Sequence, residues 1–423
     1  MKMRGWMVLM VVLGLGSTVV AAQEAVVPNP LRVYLDCQDT RCDFDFLRRE
    51  LGWVDWVRDR ADAQVHLLVT RQSTGSGGRE YTLRMIGLGD FENRNHDIST
   101  ATPSQATDDD ERRALADAMK LGLTSYAGSL LIGKRLTVRF DPPIAGTPER
   151  EVIDPWNFWV FRAGVSGFVA GESRSSSSRL DGSARATRTT DDWKIRLVAS
   201  GSRSENDYVL SDSSTLNTVL TKSELNGLVV RSLGDHWSLG VQGGYKADDR
   251  DNVDRLFQVA PGIEYNIWPY SESSRRQLTV LYEISLLSAK YIDTTIYDLL
   301  EETVGRQRLR VALVQREPWG TSRLSLEGGN YLDDFSQNRL SLNGGLEFRV
   351  TKGLSVDLSG GYSRIRDQRY LPKEGATDEE VLLRLKSLQT SYQYHMSIGL
   401  SYTFGSIYNN VVNPRFGGGG GDH

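Results

Sequence analysis

From Trp156 to Phe404 the chain repeats one pattern: segments of about ten residues in which apolar or aromatic side chains alternate with polar, charged or glycine residues. "WSLGVQGGYK", "LFQVAPGIEYNI", "QLTVLYEISLL", "RLSLEGGNY", "RLSLNGGLEFRV" and "LSVDLSGGYS" are examples. A period of two puts successive side chains on opposite faces of a strand. The series therefore predicts a long antiparallel sheet with one apolar face and one polar face.

A soluble sandwich also alternates, and three features separate the two readings. Short turns at "TTDD", "SLGD", "EPWGTS" and "TKG" alternate with longer polar loops, as in membrane barrels with short periplasmic turns and long external loops. The segments number twelve, which returns the chain to the side on which it started. Six of the nine tryptophans (Trp156, Trp159, Trp193, Trp237, Trp268 and Trp319) fall beside the short turns, as an interfacial aromatic girdle would. The expected fold is an all-β transmembrane antiparallel barrel of about twelve strands, preceded by a small α/β periplasmic domain. Pro261 lies inside the segment Leu256–Ile267 and removes a ladder donor, so a bulge is expected there.

The amino terminus fixes the compartment. Lys2 and Arg4 precede an apolar run from Gly5 to Gly16, and Val20-Ala21-Ala22 supplies small residues before a cut at Gln23. This reads as a secretory signal peptide over 1–22. The apolar run is too short to span a bilayer stably, and no other stretch approaches the length of a membrane helix. A formal net charge of −4 gives no support to nucleic-acid binding. The only cysteines, Cys37 and Cys42 in "CQDTRC", predict one disulfide in an oxidising periplasm.

Residues 23–150 read as the periplasmic domain, in the order β-α-β-β-α-β. "LRVYLD" is a strand. Phe44, Leu47, Leu51, Val54 and Val57 mark a helix, and "AQVHLLVT" and "EYTLRMIG" form a hairpin around "GSGG". A polar linker over 93–110 leads to a second helix from Glu111 to about Leu130, and "KRLTVRF" closes the domain as a strand. By this order the domain resembles the amino-terminal domain of the Tol-system propeller protein and the periplasmic domain of the curli secretion channel.

The stretches "DWKIRLVASGS", "NIWPYSESSRRQLTV", "GYSRIRDQRYLPKEGATDEEVLLR" and "SIGLSYTFGSIYNNVVNPRFG" occur together. As a set they resemble an uncharacterised family of bacterial outer-membrane β-barrels, grouped as a domain of unknown function. The resemblance implies fold and location and carries no catalytic residues. The last strand also resembles the barrel-assembly signal, with Ser397, Gly399, Tyr402 and Phe404 at its marked positions. The barrel is thus assigned to 151–404, and a Gly-rich periplasmic tail to 405–423, whose "GSIYNNVVNPRF" is expected to dock at the inner mouth or on the domain.

Parity sends Arg306, Arg308, Arg310 and Arg316 to the barrel interior, with Glu283, Arg323, Glu327, Arg339, Glu347 and Arg349 from neighbouring strands. Two readings follow: an arginine ladder for anionic solutes, or mutual salt bridges filling a narrow lumen. Catalysis lacks a constellation, because His395 faces inward beside Ser397 on one strand and no triad geometry follows. "KADDRDNVDR" and "NYLDDFSQN" lack the ligand spacing of a calcium loop. No cofactor or metal site is read. Thr377 and Glu380 form a capping box before "VLLRLKSL", which reads either as a helix at the outer mouth or as an extended hairpin. The functions that fit are a channel or binding barrel for small polar solutes, anions among them, whose periplasmic domain docks a partner or lies across the inner mouth as a gate, and a closed barrel anchoring an interaction domain. A lipid-modifying enzyme is a third. Expected partners are outer-membrane lipid, the barrel-assembly machinery and a periplasmic protein bound through the amino-terminal domain.

Overall fold

The computed structural model describes residues 30–75, 77–137, 154–209, 214–374 and 387–407. Two sheets are present. The smaller has the strand order β2-β1-β3-β4-β5, built from β1 (Leu31–Cys37), β2 (Val54–Trp56), β3 (Val65–Ser73), β4 (Arg79–Gly87) and β5 (Asn95–Thr102). β1 runs parallel to β2 and β3, and the β3-β4-β5 meander is antiparallel.

Two helices cover one face of this sheet. Asp43 caps α1 (Phe44–Glu50) by accepting from the Phe46 N–H at 2.9 Å. Thr107 and Asp110 form a reciprocal capping box at the start of α2 (Asp108–Ala127). Leu115, Met119, Leu123 and Tyr126 then recur at helical spacing and pack on Leu31, Val33, Val65, Leu67, Leu83 and Met85. Alternation in β1 and β3 turns Tyr34, Asp36, His66, Leu68 and Thr70 to the opposite face, which carries no helix.

The larger sheet has twelve strands in strict sequence order, β6 to β17, every neighbour antiparallel. They are β6 (Trp159–Gly171), β7 (Ser175–Thr189), β8 (Trp193–Val209), β9 (Thr215–Ser232), β10 (Trp237–Asp248) and β11 (Val253–Asn266), then β12 (Arg276–Tyr291), β13 (Glu301–Glu317), β14 (Gly320–Tyr331), β15 (Asn338–Thr351), β16 (Leu354–Ile365) and β17 (Tyr392–Tyr402). This is an up-and-down wall of barrel type. Its end strands, β6 and β17, are not hydrogen-bonded to each other. One face of the wall is apolar and exposed: Val165, Leu197, Val241, Val259, Leu286, Leu309, Leu326, Leu342, Leu358 and Leu400 all lie open on it. Such a continuous band is foreign to a soluble surface and matches the outward apolar band of a membrane barrel.

Several expectations need correction. Val54–Trp56 pairs with β1 instead of extending α1, because Gly52 ends the helical run. The polar stretch 93–110 contains β5, whose exposed, alternating sequence looks like a linker. Leu131–Arg135 is a 3-10 turn, so "KRLTVRF" does not begin as a strand, and its last three residues lie outside the described ones. The β-α-β-β-α-β order, on which the likeness to the two periplasmic domains rested, is therefore not observed. β7 and β9 begin at Ser175 and Thr215, although clear alternation starts only at Asp181 and Lys222: the start of β7 is mostly serine, and Leu216, Val219 and Leu220 in β9 break the period of two. Links 172–174 and 249–252 are as short as the turns at the other end, and link 267–275 is longer, so loop length alternates only partly. Pro261 causes no bulge: β11 keeps its register with β10 and resumes the same register with β12 beyond it. The signal peptide, the Thr377 capping box and the glycine run lie outside the described residues.

Candidate functional site

The bare face of the small sheet is pressed against the turn end of the twelve-stranded wall. Asp36, on β1, is the central contact. Arg349, from the end of β15, donates to both of its oxygens, Nη1 to Oδ2 at 2.7 Å and Nη2 to Oδ1 at 2.5 Å. His66 Nε2 donates to Oδ2 at 3.0 Å and Gln38 Nε2 to the same atom at 3.2 Å. Asp36 is 4% exposed and His66 is 0% exposed. A planar guanidinium fork on a carboxylate is the strongest common ion-pair geometry, and it fixes orientation as well as energy.

The electrostatics follow from this packing. Burial raises the cost of ionising Asp36, but the hydrogen bonds from His66 and Arg349 outweigh it and hold the carboxyl below its ordinary range. Burial lowers the His66 imidazole despite the adjacent carboxylate, so the ring is neutral at pH 7. Its Nδ1 is buried without a hydrogen-bond partner. Burial also pushes Tyr34, which lies under the Arg349 guanidinium at 5.4 Å, up to about 12.

Further contacts surround this clasp. The loop between Cys37 and Cys42 is closed by a disulfide and presents Gln38 and Asp39. Thr321 donates to Gln38 Oε1 at 3.0 Å, and Gln38 donates to the Glu317 carbonyl at 3.2 Å. Asp39 takes both Arg316 and Arg323. At the β15–β16 turn, the Gly353 N–H donates to Asp59 at 2.7 Å and Lys352 reaches Asp62 at 2.7 Å. Gly353 has φ +71°, and a Cβ there would come within 2.1 Å of the Thr403 carbonyl oxygen, so the turn requires glycine. The Arg58 N–H donates to the Ile407 carbonyl at 3.0 Å. The first residues after β17 thus touch the domain, while 408–423 lie outside the described residues. Gly75, at the β3–β4 turn, lies against Thr189 at the end of β7. The domain therefore meets the wall at widely separated turns and lies across its mouth.

The family comparison bears on the wall alone. A family model described as "Protein of unknown function, DUF481" matches residues 166–404, more than half of the chain. The chain belongs to the DUF481 family. None of the curated proteins matches it. Among solved structures, the translocator domain of the autotransporter NalP from Neisseria meningitidis is 13% identical, covering 58% of this chain and 80% of that one at a TM-score of 0.19. The NanC porin is 13% identical over 57% and 99% with a TM-score of 0.25. CdiB from Acinetobacter baumannii is 9% identical over 88% and 74% with a TM-score of 0.27. The architecture given above rests on the strand register, not on these likenesses. The DUF481 match begins inside β6 and leaves out the small α/β sheet and the clasp residues it supplies.

Inside the DUF481 wall, the charges expected to share one lumen fall into two groups. Arg306, Arg308, Arg310 and Arg339 occupy inward positions and are each neutralised. Arg308 Nε donates to Glu283 at 2.8 Å, and Arg310 Nε donates to Glu327 at 2.7 Å. Arg306 and Arg339 share Asp367 at 3.2 and 3.0 Å. Arg316, Arg323 and Arg349 do not line the lumen: they sit at strand ends and reach the α/β domain instead. Glu347 lies near Arg349 without an ion pair among the described residues. The register puts these side chains on the face opposite the apolar band, and parity within a strand cannot separate rim from interior. Asp36, Asp39, Asp59, Asp62 and His66 were missed as a site. The available signal was an aspartate within the otherwise apolar strand "LRVYLDC", followed by a disulfide loop with a second one.

Of the six tryptophans of the expected girdle, Trp156, Trp159, Trp193, Trp237 and Trp319 stand at or just before the starts of β6, β8, β10 and β14, and Trp268 just after the end of β11, all at the domain end. Ser397 and Gly399 lie at inward positions of β17, and Tyr402 and Phe404 are exposed on the apolar face with rings 5.6 Å apart. At the opposite mouth one loop packs over part of the rim. Residues 366–373 fold back over it: the Ile296 N–H donates to the Leu371 carbonyl at 2.9 Å, and the Lys373 N–H to Thr294 at 2.8 Å. Arg369 is buried there against Glu302 at 2.8 Å, with Gln337 at 3.1 Å and the Tyr331 ring at 4.8 Å. In "KADDRD", Lys246 places its ammonium on Asp248 and Asp251, at 3.2 and 2.5 Å.

Proposed function

We propose that this chain is a bacterial outer-membrane barrel for small polar solutes, whose inner mouth is held shut by its own amino-terminal domain. The observation that carries this reading is the clasp of Asp36 with Arg349. One carboxylate, buried in the domain, receives the guanidinium fork of a strand-end arginine and is supported by further bonds at separate turns. A barrel without a gate has no use for so specific a cover. The exposed apolar band supports a bilayer as its surroundings, and the signal-peptide pattern supports export. On this reading the domain, the six tryptophans and the residues after Phe404 face the periplasm. Membrane lipid contacts the band, and the assembly machinery reads β17.

The test is solute entry into proteoliposomes carrying full-length protein. The wild type should admit small polar solutes slowly and the Arg349→Gln variant quickly. Equal, negligible entry for both would refute gating. That result would favour a closed anchor for the domain, a reading supported by the neutralised interior arginines and by residues 366–373 over part of the outer rim.

A further inference from the structure

The inner wall formed by β6, β7 and β8 differs from the rest of the lumen in its charge balance. It borders a cleft of about 620 Å³ lined by Arg162, Arg179, Arg185, Lys222, Asp181 and Glu224, with the hydroxyls of Ser166, Ser183, Ser200 and Ser202 between them. Both acids are already engaged. Arg179 lies 2.8 Å from Asp181, and Lys222 lies 2.8 Å from Glu224. Arg162 and Arg185 are left over. They stand directly opposite each other on adjacent strands, and neither has an ion pair or a hydrogen bond among the described residues.

Like charges directly opposite each other on neighbouring strands are destabilising. Like charges also stand opposite at Arg255 and Lys290 and at Glu347 and Asp357, but the other inward arginine cluster, Arg306, Arg308, Arg310 and Arg339, has a carboxylate for each member. The strand that would complete the wall beyond β6 offers no relief, because the inward positions of β17 are Gln393, His395, Ser397, Gly399 and Ser401. We infer that Arg162 and Arg185, with the hydroxyls around Ser183, form a binding site for a small oxyanion. Two guanidinium groups supply up to ten N–H donors in planar forks that match carboxylate or phosphate oxygens, and the serines fit the remaining oxygens. The cleft volume is that of a small-molecule site. This inference rests on the reading of the barrel as a solute barrel and names the solute class.

The test is equilibrium binding of inorganic phosphate and of succinate to full-length protein in detergent, by titration calorimetry. Saturable binding of either anion is expected, and which one binds separates a phosphate-like from a carboxylate ligand. Arg162→Gln and Arg185→Gln should each weaken it by about tenfold or more. Ser183→Asp, which sets a carboxylate beside Arg185 and diagonal to Arg162, should do the same by internal neutralisation. It serves as the check should the arginine variants fail to assemble. Arg203→Gln, at an outward position of β8, should leave affinity unchanged. Absence of saturable binding by both anions, or unchanged affinity in the Arg162, Arg185 and Ser183 variants, would overturn the site. Binding does not require passage. Phosphate binding by a barrel that never conducts would sink the gating reading and keep the site, whereas a conducting barrel that binds neither anion would do the reverse.

Discussion

Replacing Asp36 by asparagine keeps its shape and removes its charge. The native carboxylate accepts two bonds from Arg349 and one each from His66 and Gln38. Asparagine offers one acceptor oxygen, and its amide N–H groups would face the other donors. Breaking a buried ion pair by removing one partner costs about 3–5 kcal/mol. The Arg349 side chain is 25% exposed, so water at the mouth can recover part of this, and a loss of about 2–4 kcal/mol is expected. At 1.4 kcal/mol per factor of ten, that shifts the equilibrium between covered and uncovered mouths by about thirty-fold to several hundred-fold. Hydrogen exchange on full-length protein reads this directly. Amides at the Glu317–Thr321 and Thr351–Gly353 turns should lose protection, while Leu83 and Met85 in the domain core keep theirs. A double-mutant cycle with Arg349→Gln should show strong coupling. Unchanged turn protection would refute the clasp. Simultaneous loss of core protection would show that Asp36 supports the domain's own fold and not its docking.

Acid should loosen the cover in two stages. His66 is lowered from 6.5 by burial, so the stability it contributes is complete above that value and is lost as pH falls through the folded-state pKa. Asp36, held below 3.8, adds a second loss at lower pH of the same sign. Turn protection measured against pH should show both, and His66→Phe should remove the first and, with its hydrogen bond to Asp36 gone, move the second to higher pH. Reducing the Cys37–Cys42 disulfide should cost about 2 kcal/mol through the freed loop, seen as a lower domain melting temperature and weaker turn protection. Gly353→Ala should cost about 1–3 kcal/mol from its left-handed backbone, with more from the Thr403 overlap, and reduce the heat-modifiable folded band on gels. Arg369→Ala removes one partner of a buried pair, so about 3–5 kcal/mol of loop packing at the outer rim should be lost, read as faster exchange at Leu371 and Ile296.

Much of the wall was legible because alternation is a local signal. Twelve strands were expected and the wall has twelve among the described residues, those beginning at Trp193, Trp237, Asn338 and Leu354 starting where alternation resumes after a turn. The signal weakened where side chains are small or polar, as at Ser175–Arg179, and where apolar residues break the alternation, as at Thr215–Thr221. β2 and β5 were missed for a different reason: their pairing depends on partners distant in sequence. The inward face was also legible, since parity alone turns Glu283 and Arg308 toward each other. A domain lying across the mouth was one expectation, but the residues that hold it there were not legible. Asp36 and Arg349 are 313 residues apart, and no periodicity within either strand indicates that they meet.

The central claim is that the domain closes the barrel, and conductance across a planar bilayer tests it most directly. Full-length wild type should be almost silent at neutral pH. Asp36→Asn under the same conditions should open discrete, anion-preferring steps. Matching traces from the two proteins, both open or both silent, would contradict it.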